Sequence, residues 1–546
     1  MSEPRGRSAH VDDFTRRMLP PRELWAQIDY DALPELKRYP GQMNCATELL
    51  DKQVPRFGNK IAYKSPTESW SYAELLARAN RIAHVLVEDL GVQPGNRVLL
   101  RSFNNPMYVA AWLAVMKVGA VAVATMPLLR ARELAFIADR AEIGVALCDI
   151  RLKDELAQAM GGTKTLKQAV YWGEGPGNLE AMAAGKAATF ENVDTAADDV
   201  CMIAFTSGTT GQPKGAMHFH RDIMAICDTY SRYVLKPGPD DVFAGSPPIA
   251  FAFGLGALVA FPLQVGATTL LVEQLNPQSM LQAVQDHRVS ILFTAPTAYR
   301  AMIDLAPNYD LSSLRKCVSA GETLPAPTFK AWEAATGLQI MDGIGSTEML
   351  HIFLGSPEGD LRPGTTGKPV PGYEATVLDE NGNPAPQGTV GRLAVRGPTA
   401  CRYLDNLERQ RAYVHDGWNL TGDAYLIDED GHFRYQARTD DMIISAGYNI
   451  AGPEVEAVLL EHPKVLEAVV IGAPDAERGM IVKAFVVLRD KAQANDATVK
   501  ELQDHVKATI APYKYPRAIV FRDQLPKTGT GKLQRFVLRE EEKRRG

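Results

Sequence analysis

Between residues 72 and 319 helix-like and strand-like stretches take turns along the chain, and that alternation restricts the fold more than any other feature. Residues 72–90 (YAELLARANRIAHVLVEDL) set apolar side chains at three- and four-residue intervals and stop at Gly91, the pattern of an amphipathic helix closed by glycine. Residues 97–102 (RVLLRS) predict a strand, 106–118 an apolar helix ending at Gly119, and 120–124 a second strand. A helix over 280–289 and strands over 291–293 and 316–319 continue the series. Strands joined through helices return to the same end of the sheet, so they pair in parallel with helices over the faces.

At 546 residues the chain exceeds one ordinary domain, and a unit size of about 150 residues predicts three or four folding units. Near residue 370 the texture changes. Residues 373–379, 391–396 and 432–434 read as short strands between turn sequences such as NGNP and EDG, as in a small β-rich, barrel-like subdomain. After Arg438 and the TDD that follows, the texture changes again. Residues 453–461 predict a helix with proline in its first turn, 465–471 and 484–488 strands, and 499–510 an amphipathic helix. The expected class is α/β. A large N-terminal body over 1–439 holds two parallel α/β subdomains and the barrel-like unit, and a small α+β domain occupies 440–546.

Bulk properties exclude several functions. The 46% hydrophobic and 23% charged residues are those of a globular protein with a large core. A formal charge of -6 argues against a nucleic-acid partner. The cysteines (45, 148, 201, 227, 317 and 401) include no C-x-x-C pair, so they read as reduced small hydrophobic residues, not a disulfide frame or a zinc site. The start, MSEPRGRSAH, has no apolar run of a secretory signal. Residues 247–272 carry no charge and could span a bilayer by length. Gly254, Gly256, Pro262, Gln264 and Gly266 are expected to break that segment into a loop, a short buried helix and a strand, which argues against a membrane and for a cytoplasmic protein.

The chemistry-bearing stretch is TSGTTGQPKG, residues 206–215, directly after the apolar run VCMIAF. A glycine-rich turn after a buried strand presents backbone N–H groups to an anion. Thr206, Ser207, Thr209 and Thr210 add hydroxyl donors, Gly208 and Gly211 backbone freedom, and Lys214 charge. The spacing is not that of a Walker A loop. Composition leaves a polyphosphate grip and a surface linker equally open.

The whole string resembles the phosphate-binding signature of the adenylate-forming superfamily, which comprises acyl-CoA synthetases, adenylation domains and luciferases. Further motifs follow in that superfamily's order: SAGET at 319–323, DGIGSTE at 342–348, LTGDA at 420–424, QARTDD at 436–441 and PKTGTGKLQR at 526–535. The resemblance implies a large body and a mobile C-terminal domain turning on Asp440, with ATP and coenzyme A as cosubstrates. It places Gly321 and Glu322 around adenine, Asp342, Gly343 and Ile344 among the ATP-binding residues, Thr347 at the α-phosphate, Glu348 on Mg2+, and Asp423 with Arg438 on the ribose hydroxyls. By the same resemblance Lys532 enters the site during adenylation, where its ammonium stabilises the pentacovalent transition state. Ser445, Gly447 and Tyr448 then line the pantetheine tunnel during thioester formation.

For the acid itself, AFAFGLG at 250–256 and MLHIF after Glu348 resemble benzoate-type CoA ligases. That implies an aryl pocket of Ala252, Phe253, Gly254 and His351. Phe253 stands where many such ligases carry tyrosine, and the lost hydroxyl leaves room for an ortho substituent. Benzoate and 2-aminobenzoate are the favoured acids, with aromatic-compound degradation as the setting. A medium-chain acyl-CoA synthetase, a carrier-loading adenylation enzyme, a luciferase-like oxygenase and an ATP sensor stay open as alternatives. A homodimer, and a lysine acetyltransferase acting on Lys532, are further expected partners.

Overall fold

A computed structural model of the chain describes residues 6–175, 177–206, 213–438, 442–445, 448–475, 479–510, 512–527 and 533–544. The first predicted helix begins where expected. The Glu74 N–H donates to the Ser71 hydroxyl and the Ser71 N–H to the Glu74 carboxylate, a reciprocal cap on the Tyr72–His84 α-helix. The expected extension to residue 90 exists, but as a π-helical stretch, Val85–Asp89, before Gly91 turns at φ +66°.

Two large sheets make the body. In the first, Gln168–Trp172, Val145–Asp149, Arg97–Arg101, Val121–Thr125, Val200–Thr206 and Lys214–Phe219 lie side by side in that order. All pairings are parallel except the last, an antiparallel pair setting Thr206 opposite Lys214. In the second, six parallel strands run from Ile340–Gly345 through Lys316–Ala320, Ile291–Thr294, Val242–Gly245 and Thr268–Leu270 to Ile61–Lys64. Antiparallel strands flank this core at both edges. The two subdomains are therefore parallel at the centre and antiparallel at the rim. One apolar core joins them: Val98 and Leu100 of the first sheet pack in the same cluster as Phe243, Ile291 and Phe293 of the second. The Pro106–Lys117 helix, capped by the Asn105 side chain, contributes Trp112 and Met116 to it. A helix apolar all round has to be buried.

Residues 247–272 form the expected loop, buried helix and strand, although the internal glycines and proline do not break the helix. Ala252–Leu255, the π-helical Gly256–Ala260 and Phe261–Val265 follow without interruption, so Gly254, Gly256 and Pro262 lie inside helical structure. Only Gly266, at φ +74°, ends it. The glycines serve close approach instead of chain breaking, since a Cβ on Gly254 would lie 2.1 Å from the Pro248 carbonyl oxygen. Pro262 stands in the first turn after the π-helical stretch, where a missing N–H costs least. Among the described residues no helix is long and apolar enough to cross a membrane.

The third subdomain also needs correcting. Glu374–Leu378, Gly391–Arg396, Trp418–Ile427, Val414–His415 and Phe433–Arg438 form an antiparallel sheet that is open among the described residues, not a barrel. Val414–His415 and Phe433–Arg438 both pair with Trp418–Ile427, and neither pairs back onto Glu374–Leu378 to close a ring.

The C-terminal unit carries its own five-stranded sheet and its own core, in which Val455 and Leu459 pack with Val470, Val486, Leu502 and Val506. Its two longest strands exceed the prediction, Val465–Asp475 and Gly479–Leu488. Arg300, on the Pro296–Met302 helix of the body, reaches across to this unit. Its guanidinium donates to the Leu466 carbonyl at 2.8 Å and the Val465 carbonyl at 3.3 Å.

Candidate active site

The site grows from the C-terminal edge of the second sheet, where parallel strands leave a crevice for ligands. Ser319 pairs with Asp342 and Ala320 with Gly343, so SAGET and STE emerge side by side. Gly321 turns the first segment at φ +90°. The second folds back on itself. A Cβ on Gly345 would meet the His351 carbonyl oxygen at 2.5 Å, the Met349 N–H donates to Ser346 Oγ at 3.1 Å, and the Leu350 N–H to the Thr347 carbonyl at 3.2 Å. Leu350 takes φ +71° to complete this turn, a strain of about 1–3 kcal/mol for a non-glycine residue. The fully buried leucine side chain holds it there. Thr347 and Glu348 thereby stand at the tip, and His351 lies beneath them in the apolar core.

Glu348 is fixed by a residue that sequence patterns did not reveal. Its Oε1 accepts a hydrogen bond from Tyr403 Oη at 2.6 Å. Burial and the Glu348 charge push the Tyr403 hydroxyl well up, so it remains a donor. Its neighbour Arg402 is wholly buried, paired with buried Asp222 at 2.8 Å and stacked over Phe219 at 3.9 Å. That anchors the strand-like segment carrying Tyr403. Tyr413 packs edge-on against Tyr403 at 5.7 Å and approaches Ser346 Oγ at 3.4 Å.

Asp423 and Arg438 sit opposite each other on neighbouring antiparallel strands and pair at 3.0 Å. Arg438 also donates to the Thr421 carbonyl at 3.1 Å. Gly422, at φ +79°, lets the guanidinium lie where any Cβ would be 2.8 Å from Nη2. Burial raises Asp423 above the ordinary carboxylate range, Arg438 pulling the other way. Lys214 joins this cluster. Burial and Arg409 lower its ammonium, while Glu348 opposes them. Arg409, on the Leu407–Tyr413 helix, is a second residue that no motif announced. Asp342, beneath the cluster, is pushed well up by desolvation, the nearby Ser319 hydroxyl and Gly343 backbone pulling the other way.

The aromatic residues expected around the acid also pack together. The His351 ring lies 4.6 Å from Phe261, 5.4 Å from Tyr230 and 5.9 Å from Phe253, and Phe253 meets Phe293 edge-on at 5.6 Å. Burial drives the imidazole down to about 3, only partly offset by the Phe253 backbone. The histidine is therefore neutral at any working pH. Gly256 makes the space: a Cβ there would lie 2.4 Å from His351 Cδ2. Ala252 is buried alongside. Phe253 and His351 come together as expected, while Tyr230 and Phe261 went unpredicted.

Ser207, Gly208, Thr209, Thr210, Gly211, Asp440, Gly447 and Lys532 lie outside the described residues. Thr206 and Lys214 bracket the first group at the open end of a strand pair. Ser445 and the Tyr448 backbone pair within the C-terminal sheet, not at the edge of the large one. Arg535, three residues past Lys532, is bound to Glu456 at 2.7 Å. It also lies within electrostatic reach of Glu322 and Tyr435, and Tyr435 feels Asp423 and Arg438 in turn. The C-terminal domain thus turns this end of its chain toward the Asp423 cluster.

Comparisons with known proteins agree with this geometry. The AMP-binding enzyme family matches residues 50–403, and the AMP-binding enzyme C-terminal domain matches 454–532. A benzoate–CoA ligase from Thauera aromatica is 38% identical, over 94% of this chain and 98% of its own. The crystal structure of the anthranilate CoA ligase AuaEII in complex with anthranoyl-AMP superposes with a TM-score of 0.89 at 35% identity, covering 93% of this chain and 99% of that one. A benzoate CoA ligase from Burkholderia xenovorans LB400 gives 0.83 at 35% identity, over 91% and 100%.

Proposed function

The chain belongs to the AMP-binding enzyme family of adenylate-forming proteins, and from that premise we propose that it is an AMP-forming aryl-CoA ligase preferring benzoate or 2-aminobenzoate. The observation that carries the reading is the juxtaposition of two unlike sites at one sheet edge. A charged cluster of Lys214, Glu348, Asp423 and Arg438 adjoins an apolar aromatic cluster of Phe253, Tyr230, Phe261 and His351. The first suits a nucleotide polyphosphate and the second a flat ring.

A carboxylate is a poor electrophile at neutral pH. In the first step a carboxylate oxygen attacks the α-phosphorus of ATP, the bond to the bridging oxygen breaks, and pyrophosphate leaves. In the second the coenzyme A thiolate attacks the acyl carbon and AMP departs with the electron pair. Asp423 accepts from both ribose hydroxyls, a charge-assisted pairing, and Thr347 holds the α-phosphate. Lys214 and residues 206–211 receive the pyrophosphate, and Lys532 neutralises charge on the pentacovalent phosphorus. Asp440 is the hinge, and Ser445, Gly447 and Tyr448 line the thiol's path once Lys532 has withdrawn. Glu348 fits magnesium: it offers a hard carboxylate oxygen, half-buried, oriented by Tyr403, and one carboxylate beside phosphate oxygens suffices. When bound, the ion offsets the polyphosphate charge.

In the pocket, a neutral His351 and the ring of Phe253 contact the aryl group without placing charge beside it. The absence of a hydroxyl at Phe253 leaves the ortho position unobstructed, which supports 2-aminobenzoate beside benzoate. Work on cytoplasmic aromatic acids fits the same reading. Pyrophosphate exchange tests the acid preference. Exchange with benzoate and 2-aminobenzoate well above that with hexanoate is expected; the reverse order would refute the aryl assignment.

A further inference from the structure

Cys45, Cys201 and His220 arrive from the N-terminal segment, the Val200–Thr206 strand and the first turn of the His220–Ile226 helix. The fold sets their sulfur and nitrogen donors within 4.8 Å of one another, with all three residues fully buried. Cys45 Sγ stands 3.2 Å from His220 Nδ1, which also faces the Cys45 N–H at 3.2 Å. His220 Nε2 is buried without a hydrogen-bond partner. None of these groups serves the nucleotide or the acid.

Two soft sulfurs and an imidazole form the donor set of a thiophilic cation. Tetrahedral zinc, with bonds of about 2.3 Å to sulfur and 2.0 Å to nitrogen, holds a sulfur and a nitrogen about 3.5 Å apart and two sulfurs about 3.8 Å apart. The Cys45 Sγ to His220 Nδ1 distance of 3.2 Å lies near the sulfur–nitrogen value, and the remaining donor pairs stay within 4.8 Å. We propose that Cys45, Cys201 and His220 form a structural site for a divalent cation of the zinc class.

The position gives the site a purpose. Val200 pairs with Phe219, so Cys201 and His220 close the base of the strand pair whose far end carries Thr206 and Lys214. A cation there would fasten the support of the phosphate grip to the N-terminal segment without touching the chemistry.

The test uses the full chain produced in cobalt-supplemented medium and purified. One equivalent of cobalt with a near-ultraviolet thiolate charge-transfer band and intense visible bands is expected, with both lost in Cys201→Ser. A metal on carboxylate oxygens, as at Glu348, gives no thiolate band. X-ray absorption on the zinc-loaded wild-type protein serves if the variant fails to fold, with sulfur scatterers at about 2.3 Å expected. Folded wild-type protein without a thiolate band, scatterers of oxygen and nitrogen alone, or recovery of a Cys45–Cys201 disulfide would each overturn the site.

Discussion

Tyr403 shows how a single hydroxyl can govern a charged site. Its bond to Glu348 leaves the second carboxylate oxygen for a ligand and fixes the direction of both. Loss of such an outer partner typically costs 10- to 100-fold in metal affinity or activity. Tyr403→Phe is therefore expected to raise the magnesium concentration for half-maximal adenylation about 10-fold or more. Titrating magnesium against pyrophosphate exchange checks this, and an unchanged midpoint would remove Tyr403 from the role. His351 yields a second prediction. Folded, it stays neutral to about 3, whereas unfolded it takes up a proton near 6.5. The unfolded chain thus binds the extra proton in between, and stability falls as pH drops through 6.5 toward 3. Replacing His351 by leucine deletes that contribution. Thermal melts at pH 8 and pH 5 should shift in the variant's favour at the lower value; parallel behaviour would contradict the neutral, buried imidazole. Glu348, Asp423, Arg438 and His351 could be named from their motifs. Tyr403, Arg409 and Tyr230 could not, because each reaches the site from an element with no repeated spacing relative to it.

At the scale of elements, alternation along the chain was enough to foresee parallel sheets, since short crossover helices leave few other options. It could not show which strands reverse at the edges, because Val200–Thr206 and Lys214–Phe219 look alike in either direction. It foresaw the loop, buried helix and strand of residues 247–272, but not that the helix would run through its glycines and proline, which usually signal a break. There the glycines admit neighbouring groups: the Pro248 carbonyl at Gly254 and the His351 ring at Gly256. Gly256→Ala drives a methyl into His351, and overpacking of this kind costs about 1–3 kcal/mol. The variant should melt at lower temperature, and kcat/KM for benzoate should fall more than KM for ATP rises. Equal loss of both would point to general unfolding instead of a pocket defect. The open five-stranded sheet was likewise misread as barrel-like, because turns and short strands look the same whether or not the edges meet.

Across the whole molecule, the two bodies meet through Arg300, whose guanidinium holds the backbone of Val465–Asp475. Charge-assisted bonds contribute about 1.5–3 kcal/mol, so Arg300→Ala should slow adenylation about 10-fold while leaving thioester formation from preformed acyl-AMP largely intact. Single-turnover measurement of each half-reaction tells the two apart; equal slowing would mean that the contact does not select a domain orientation. The change of texture near residue 440 is the sequence's reason for expecting a domain break there. The contact was not visible in the sequence, since nothing in YRAM marks an arginine that binds a distant strand. The proposed function requires an acyl-adenylate made from an aryl acid and passed to a thiol. Its most direct test is AMP release by the purified enzyme with ATP, magnesium and each of benzoate, 2-aminobenzoate, salicylate and hexanoate, with and without coenzyme A. Coenzyme A-dependent AMP release matched by aryl thioester, strongest with benzoate or 2-aminobenzoate, is the predicted result; turnover of hexanoate with none of the benzoates would contradict it.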